Sequence, residues 1–497
     1  MSEEREVKLA APATFKMPAF EGLGEGISVE EPTLERYQTV YLDTPDFRLA
    51  RWGVSIRHRS GQGWTVKLPP VIQGDLIVRG EHAFDGDDPS DVPPEAVDPI
   101  RAYVRTAELR PVVRLRTVRR SIRARDMEDR QLVEITDDEV SVLAGRRIAA
   151  RFRELEVEVG DATPPGLQEE VLDRLRAAGA GDPDPTPKYV RAVGPLGTQP
   201  PEIVAPSLPS GATAGVVVRR SIAASVTHLI RHDVVMRLDA DPEGVHQARV
   251  STRRLRSDLR TFRKLLDPEW TRSLRDELRW LGGVLGRTRD ADVLLERMRS
   301  RIEVIPTTER PGASQVVEAL ERRRKSAHAD LLETIRDDRY IRLLDRLVEA
   351  ANEPALLLAA DLPAAQVLPG LVRGPWKALR RDVREVGSRP TDPQLHRIRI
   401  LTKRVRYAAD LVEPLLGRPA HRFAVAAADL QTVLGEHNDA VVAEAWLRGW
   451  AAEGRSGDAT FAAGMLAGIE RAAADRARRI WRRTWRKLDA VDRRAWM

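Results

Sequence analysis

The sequence predicts a multidomain α+β protein: an N-terminal half of antiparallel β-strands, then an all-α half made of two duplicated helical bundles. Three observations carry this prediction. Before residue 195, short apolar–charged alternations are broken by Gly and Pro, the period of half-buried strands. After residue 215, Ala-, Leu- and Arg-rich segments repeat their apolar residues every three or four positions, the period of helices. Between them, "GPLGTQPPEIVAPSLPSGATAG" (194–215) is rich in Pro, Gly and Ser and almost free of charge, as a linker is. The expected organisation is a strand domain at 1–195, a linker at 196–210 and a helical domain at 211–497.

Composition narrows the classes. The chain has 497 residues, 42% of them hydrophobic, ample for more than one core. Lys and Arg (81) barely exceed Asp and Glu (75), so the net charge is only +6. The placement of charge therefore matters more than its total. Cysteine is absent, which excludes disulfides, thiolate metal sites and cysteine nucleophiles. No apolar run approaches the roughly 18 residues of a membrane span. The charged N-terminus does not read as a signal peptide. A cytoplasmic protein with no membrane partner is expected.

The first strand is EREVK. Alternation puts Glu4, Glu6 and Lys8 on one face and Arg5, Val7 and Leu9 on the other. The same pattern recurs: Arg57 and Arg59 in "WGVSIRHRS", Lys67 in "GWTVKLP", Arg79 with Glu81 in "LIVRGEHAF", Arg114 with Arg116 in "VVRLRT", Glu134 and Asp138 in "LVEITDDEV", and Glu154, Glu156 and Glu158 in "RFRELEVEVG". One reading makes these faces the wet sides of antiparallel sheets. Another is a closed barrel with the charged faces inward. Three glutamates at alternate positions repel unless cations lie between them, and the neighbouring bases repel likewise. A divalent metal would satisfy the acids and a polyanion the bases. Glu4 and Glu6 then want a divalent metal, and Lys8 a phosphate.

These stretches, with "YLDTPDFRL" (41–49), "IRHR" (56–59), "TVKLP" (65–69), "RGEHAF" (79–84), "RELEVEV" (153–159) and "PKYVR" (187–191), resemble the CYTH domain, the triphosphate tunnel metalloenzyme family, over about 1–195. The resemblance implies an antiparallel β-barrel tunnel that binds inorganic triphosphate or a triphosphate-bearing substrate with Mg²⁺ or Mn²⁺. It implies Glu4, Glu6 and Lys8 as the catalytic element. Glu4, Glu6, Glu154, Glu156 and Glu158 would hold metal, and Arg57, Arg59, Lys67, Arg79, Arg119 and Lys188 would grip phosphates. In "RTVRRS" either Arg119 or Arg120 can be the family's arginine. The chemistry suggested is metal-assisted phosphoryl transfer: oxygen ligands suit Mg²⁺ or Mn²⁺, and arginines stabilise the charge of a loose transition state.

The helical half contains a repeat. "VHQARVSTRRLR" (245–256) aligns with "LHRIRILTKRVR" (395–406) at an offset of 150, and "LGRTRDADV" (285–293) with "LGEHNDAVV" (434–442) at 149. An offset so nearly constant marks a duplication, expected as bundles at about 211–353 and 371–497, joined at 354–370. On a helical wheel, Val245, Ala248, Thr252, Leu255, Leu259, Phe262 and Leu266 form an apolar seam, as do Leu395, Ile398, Thr402, Val405, Ala409, Val412 and Leu416. Beside the seams run basic residues: His246, Arg249, Arg253, Arg254 and Arg256, and His396, Arg399, Lys403, Arg404 and Arg406. Like charges at this spacing weaken a helix, yet both copies carry them.

This half resembles the CHAD domain over about 211–497, through "VHQARVSTRRLR", "LGRTRDADV", "LHRIRILTKRVRY" and "LQTVLGEHNDA". The resemblance implies that the ten basic residues bind inorganic polyphosphate, and an association with polyphosphate granules. Three functions compete. The first is a metal-dependent inorganic triphosphatase whose helical half captures polyphosphate. The second is a non-catalytic polyphosphate sensor. The third is a nucleic-acid binder, against which stands the scarcity of aromatics beside the basic stripes, Tyr407 excepted.

Overall fold

The computed structural model describes residues 2–239 and 241–491; Met1, Ala240 and 492–497, which fall within the expected domain ranges, lie outside them. The chain divides into two compact units between Glu202 and Ile203.

The first unit is built on ten strands: β1 (Ser2–Ala10), β2 (Ser28–Val29), β3 (Thr33–Asp43), β4 (Ser55–Arg59), β5 (Gly63–Lys67), β6 (Val71–Gln73), β7 (Leu76–Phe84), β8 (Arg110–Arg125), β9 (Gln131–Ala144) and β10 (Arg147–Val159). The order β1-β10-β9-β8-β3-β4-β5-β7, with β7 returning to β1, closes an eight-strand antiparallel barrel; β2 and β6 add to its rim. Alternation then assigns two surfaces. Glu4, Glu6 and Lys8 turn into the lumen, while Val7 and Leu9 turn out into an apolar core. The charged faces of β1, β4, β5, β7, β9 and β10 are therefore inward, whereas Arg114 and Arg116 of β8 are exposed, with Leu115 between them buried, so the wet-face reading holds for that stretch alone.

Three short helices, α1 (Arg48–Trp52), α2 (Pro94–Val97) and α3 (Arg101–Val104), lie between strands. The outer face of β1 and β10 is covered by α4 (Leu167–Ala177), whose Leu167, Val171 and Leu175 recur every four residues and meet Leu9, Leu155 and Val157. Each such side chain contributes roughly 1.5–3 kcal/mol by leaving water. Glu169 and Glu170 in the first turn and Arg174 and Arg176 in the last match the helix dipole. The "YLDTPDFRL" stretch is a structural anchor. Asp43 is fully buried and accepts the backbone N–H groups of Thr44, Leu49 and Ala50 at 2.6, 2.8 and 3.0 Å. Helix α5 (Lys188–Val193) then brings Tyr189 to hydrogen-bond Asp43 and stack on Tyr41, ring centroids 5.1 Å apart. Part of the expected linker belongs to this unit: Glu202 accepts from Trp52 Nε1 at 2.7 Å and pairs with Arg105 at 2.7 Å.

The second unit is helical: α6 (Ala214–Leu238), α7 (Pro242–Thr261), α8 (Pro268–Ile302), α9 (Arg310–Arg336), α10 (Asp338–Asn352), α11 (Ala364–Glu385), α12 (Asp392–Leu416), α13 (Arg418–Ala451) and α14 (Gly457–Ala490). The duplication is visible in the starts of these helices. α6 and α11, α7 and α12, and α8 and α13 each begin 150 residues apart. A β-bridge joins Thr213 to Pro363, a residue to its own counterpart, as a local two-fold relation requires. Side chains that start helices do so by capping: Asp241 and Asp267 accept from backbone N–H groups, and Thr391 with Gln394 forms a capping box. Both apolar seams are buried, Leu416 only in part.

Candidate functional site

The barrel lumen is a cavity of about 270 Å³ lined almost wholly by ionisable side chains and tyrosines. Sheet register explains their arrangement. Across β1, β10 and β9, Lys8 stands opposite Glu156, and Glu154 opposite Asp138. Lys8 Nζ lies 2.5 Å from Glu156, and Lys188 Nζ lies 2.8, 2.9 and 2.8 Å from Asp138, Glu154 and Glu156. Arg119 pairs with Asp138 at 2.7 Å and Glu156 at 2.9 Å. Burial works against the charge of Glu156, but Lys188, Lys8 and Arg119 outweigh it and hold its carboxyl well below the usual carboxylate range. Glu4 pairs with Lys67 at 2.5 Å and Arg79 at 2.9 Å, and Arg79 reaches Glu6 at 2.5 Å.

Two groups stand outside this pairing. The next row across the strands is Glu6, Glu158 and Glu134, three carboxylates side by side. Among the described residues Glu158 has no ion-pair partner. Burial, with Glu4 and Glu134 beside it, pushes its carboxyl up to about 7. Arg59 is the converse. It lies over the Tyr37 ring at 4.2 Å and donates to Gln62 at 3.0 Å, with no carboxylate in reach among the described residues. Burial and the adjacent Arg57 lower its pKa. The Nε atoms of Arg57 and Arg59 are buried without hydrogen-bond acceptors. The lumen thus has an acid pole short of a cation and a basic pole short of an anion.

All the barrel candidates from the sequence meet in or border this cavity: Glu4, Glu6, Lys8, Arg57, Arg59, Lys67, Arg79, Arg119, Glu154, Glu156, Glu158 and Lys188. Arg119 faces the lumen, whereas Arg120 points outward, half-exposed. The five expected metal ligands are not gathered as one set. Glu154 and Glu156 are neutralised by lysines, and among the described residues no three His, Cys, Asp or Glu side chains stand ready to hold a metal ion. The donor chemistry nevertheless fits a hard divalent cation: the acid pole offers only oxygen, and one of its carboxylates is uncompensated. Glu134 belongs to it, and the alternation of "LVEITDDEV" already put it on the charged face.

In the helical unit a cleft of about 320 Å³ is lined by His246, Arg249 and Arg253 of α7, Arg399 and Lys403 of α12, and Arg289 and Arg297 of α8. His396 joins its edge by hydrogen-bonding Asn438 at 2.6 Å. Gly286 makes room for Arg249: a Cβ there would lie 2.7 Å from the guanidinium. Acids only partly answer these bases: Asp290 lies 3.3 Å from Arg249 and Asp439 3.9 Å from Arg399, while Arg297, alone of the described bases lining the cleft, is fully paired, with Glu436 at 2.7 Å and with Glu470. Burial, then Arg399, Arg253 and Arg249, pushes Lys403 down to about 7. The other four candidates lie elsewhere. Arg254 lines a separate cleft near Asp410. Arg256 sits by Arg275 and Arg279, and Arg404 by Arg260 and Arg275. Arg406 pairs with Asp410 at 3.5 Å. Arg254 and Arg404 each follow a cleft residue by one position, about 100° around the helix, and so turn away; Arg256 and Arg406, three positions beyond Arg253 and Lys403, continue the stripe past the end of the cleft. Arg289 and Arg297 were not singled out from the sequence, although Arg289 lies inside the repeated "LGRTRDADV".

Fold and site define a class: an antiparallel barrel with a charged tunnel, followed by a duplicated helical unit with a basic cleft. The CYTH domain family matches residues 2–190 and the CHAD domain family residues 220–448. Two Mycobacterium tuberculosis proteins, "Uncharacterized protein Rv2226" and "Uncharacterized protein MT2285", are each 32% identical over 502 residues, covering 96% of this chain and 94% of the relative. Among solved structures, the CHAD domain from the plant Ricinus communis is 26% identical, covers 58% of this chain and 96% of its own, and has a TM-score of 0.49. PptA from Streptomyces chartreusis is 23% identical, covers 55% and 100%, and has a TM-score of 0.46. The chain belongs to the proteins that join a CYTH domain to a CHAD domain. CYTH domains are generally metal-dependent tunnel enzymes that bind triphosphate substrates. Among the described residues no helix is long and apolar enough to cross a membrane.

Proposed function

We propose that the barrel hydrolyses inorganic triphosphate or short polyphosphate with Mg²⁺ or Mn²⁺, and that the helical unit binds longer polyphosphate through its basic cleft. The observation that carries this reading is the division of one lumen into an acid pole around the uncompensated Glu158 and a basic pole around Arg59. A triphosphate with a divalent cation answers both at once.

Glu4, Glu6 and Glu158 would hold the cation, which supplies charge neutralisation at the phosphate oxygens and a more acidic water. Arg57, Arg59 and Arg119 would grip phosphate oxygens in bidentate fashion. Lys8, Lys67, Arg79 and Lys188 now bind carboxylates, and an incoming polyanion competes for the same ammonium and guanidinium groups. Glu154 and Glu156 keep Lys8 and Lys188 charged and aimed into the tunnel. Lys8 in this reading steadies charge on the phosphate.

In the helical unit, His246, Arg249, Arg253, His396, Arg399 and Lys403 would contact polyphosphate, and its location would follow the polymer. Phosphate release from inorganic triphosphate, ATP and long-chain polyphosphate, with Mg²⁺, Mn²⁺ or EDTA, tests the proposal. The expected result is metal-dependent release, fastest from inorganic triphosphate. No release with either metal, alongside intact polyphosphate binding, would leave the barrel a sensor.

A further inference from the structure

A third cleft, of about 570 Å³, lies between α7, α11 and α12 and shares no residue with the one around Lys403. Its floor is apolar: Leu265, Val367, Leu371, Pro375 and Leu401. Its rim is cationic: Arg260, Arg263, Lys264 and Arg404. Among the described residues none of these four cations has an ion-pair partner. Burial, then Arg260 and Arg275, lowers the pKa of Arg404, and the Arg275 Nε beside them is buried without an acceptor. At the lip the chain runs through exposed leucines, Leu358 at 88% and Leu362 at 50%. This loop is tied to the floor by the Leu357 N–H donating to the Leu265 carbonyl at 2.9 Å.

The duplication provides an internal control. The equivalent cleft of the other copy, about 380 Å³, is lined by residues 150 positions away. There Asp410 stands for Arg260, Ser251 for Leu401, Ser221 for Leu371 and His228 for Ala378. The fold alone therefore does not dictate an apolar floor under unpaired cations. A cleft of a few hundred Å³, mostly apolar with a few convergent charges, is the usual form of a small-ligand site. Polyphosphate would satisfy the rim but leave the floor wet.

We propose that this cleft binds a single-chain anionic amphiphile, an alkyl or acyl tail carrying a phosphate or carboxylate head. The tail lies on Leu371 and Leu401, under Leu362, and the head meets Arg260 and Arg404. Titration calorimetry on the full-length chain tests it, with decyl phosphate, decanoate, butyl phosphate, inorganic phosphate and decanol as probes, all below micelle formation. One decyl phosphate or decanoate should bind per chain. Shortening the tail should weaken binding about threefold to fourfold per methylene, and inorganic phosphate and decanol should not saturate. Arg260→Glu, at an exposed position, should weaken decyl phosphate about tenfold or more. Leu371→Asp should do the same, and both should leave polyphosphate affinity within about twofold. Equal binding of inorganic and decyl phosphate would overturn the proposal, and so would unchanged binding in folded R260E. Loss of polyphosphate affinity in R260E matching that in Arg253→Ala would also overturn it, by assigning the rim to the polyphosphate track.

Discussion

Lys403 gives the helical unit a proton-linked signature. Burial and three guanidinium neighbours hold its ammonium down at about 7. A side chain with that pKa is about nine-tenths neutral at pH 8 and about one-tenth neutral at pH 6. A polyphosphate chain in the cleft replaces the repulsion with attraction and returns the pKa toward the usual lysine range. Binding should therefore take up about 0.9 proton at pH 8 and about 0.1 at pH 6, and affinity should fall about fiftyfold between pH 7 and 9. Calorimetry of long-chain polyphosphate in buffers of different ionisation enthalpy, at one ionic strength, reads the uptake as a slope. Lys403→Met should abolish the slope. Lys403→Arg should keep the charge at every pH and remove the affinity loss. A wild-type slope near zero at pH 8, or an unchanged slope in K403M, would refute the reasoning.

Three further outcomes follow from the same geometry. Glu158 has a raised pKa, so the folded state holds a proton that the unfolded state releases between about pH 4.5 and 7. Metal-free protein should lose stability as pH rises through that window. Glu158→Gln should be the more stable at pH 8 by about 2 kcal/mol, after discounting for partial exposure, and equal at about pH 4, below the window, by denaturant melts; added Mn²⁺ should close the gap. Arg59→Ala, removing the unpaired guanidinium, should raise KM for inorganic triphosphate about tenfold or more with folding retained. Leu255→Ala, in the buried seam of α7, should cost about 2–5 kcal/mol in a chemical denaturation curve.

The barrel was legible because strand parity is strict. EREVK and RELEVEV named the lumen residues, and Val7 and Leu155 named the outer face, without any knowledge of pairing. Pairing across strands was not legible. That Glu158 stands between Glu6 and Glu134 while Glu156 faces Lys8 depends on register between distant segments. The division of five similar glutamates into neutralised and uncompensated ones followed from that register. "YLDTPDFRL" carried a family resemblance but proved to be an anchor for buried Asp43. In the helical half the repeat revealed the duplication and the seams. The basic residues were over-counted because a wheel gives angle around one helix, while the cleft is shaped by which neighbours approach: Arg249 and Lys403 meet across α7 and α12, Arg254 and Arg404 do not.

The central claim is that the lumen's acid and basic poles act together on a metal-bound triphosphate. Its most direct test is the steady-state rate of phosphate release from inorganic triphosphate by Glu4→Gln beside the wild-type chain, at saturating Mn²⁺. Glu4 is held by Lys67 and Arg79 inside the tunnel and takes no part in the apolar core, so the variant should fold. Loss of a metal-ligand charge should lower the rate by about 100-fold or more while polyphosphate affinity of the helical unit stays at the wild-type value. Near wild-type release by folded E4Q would contradict the account.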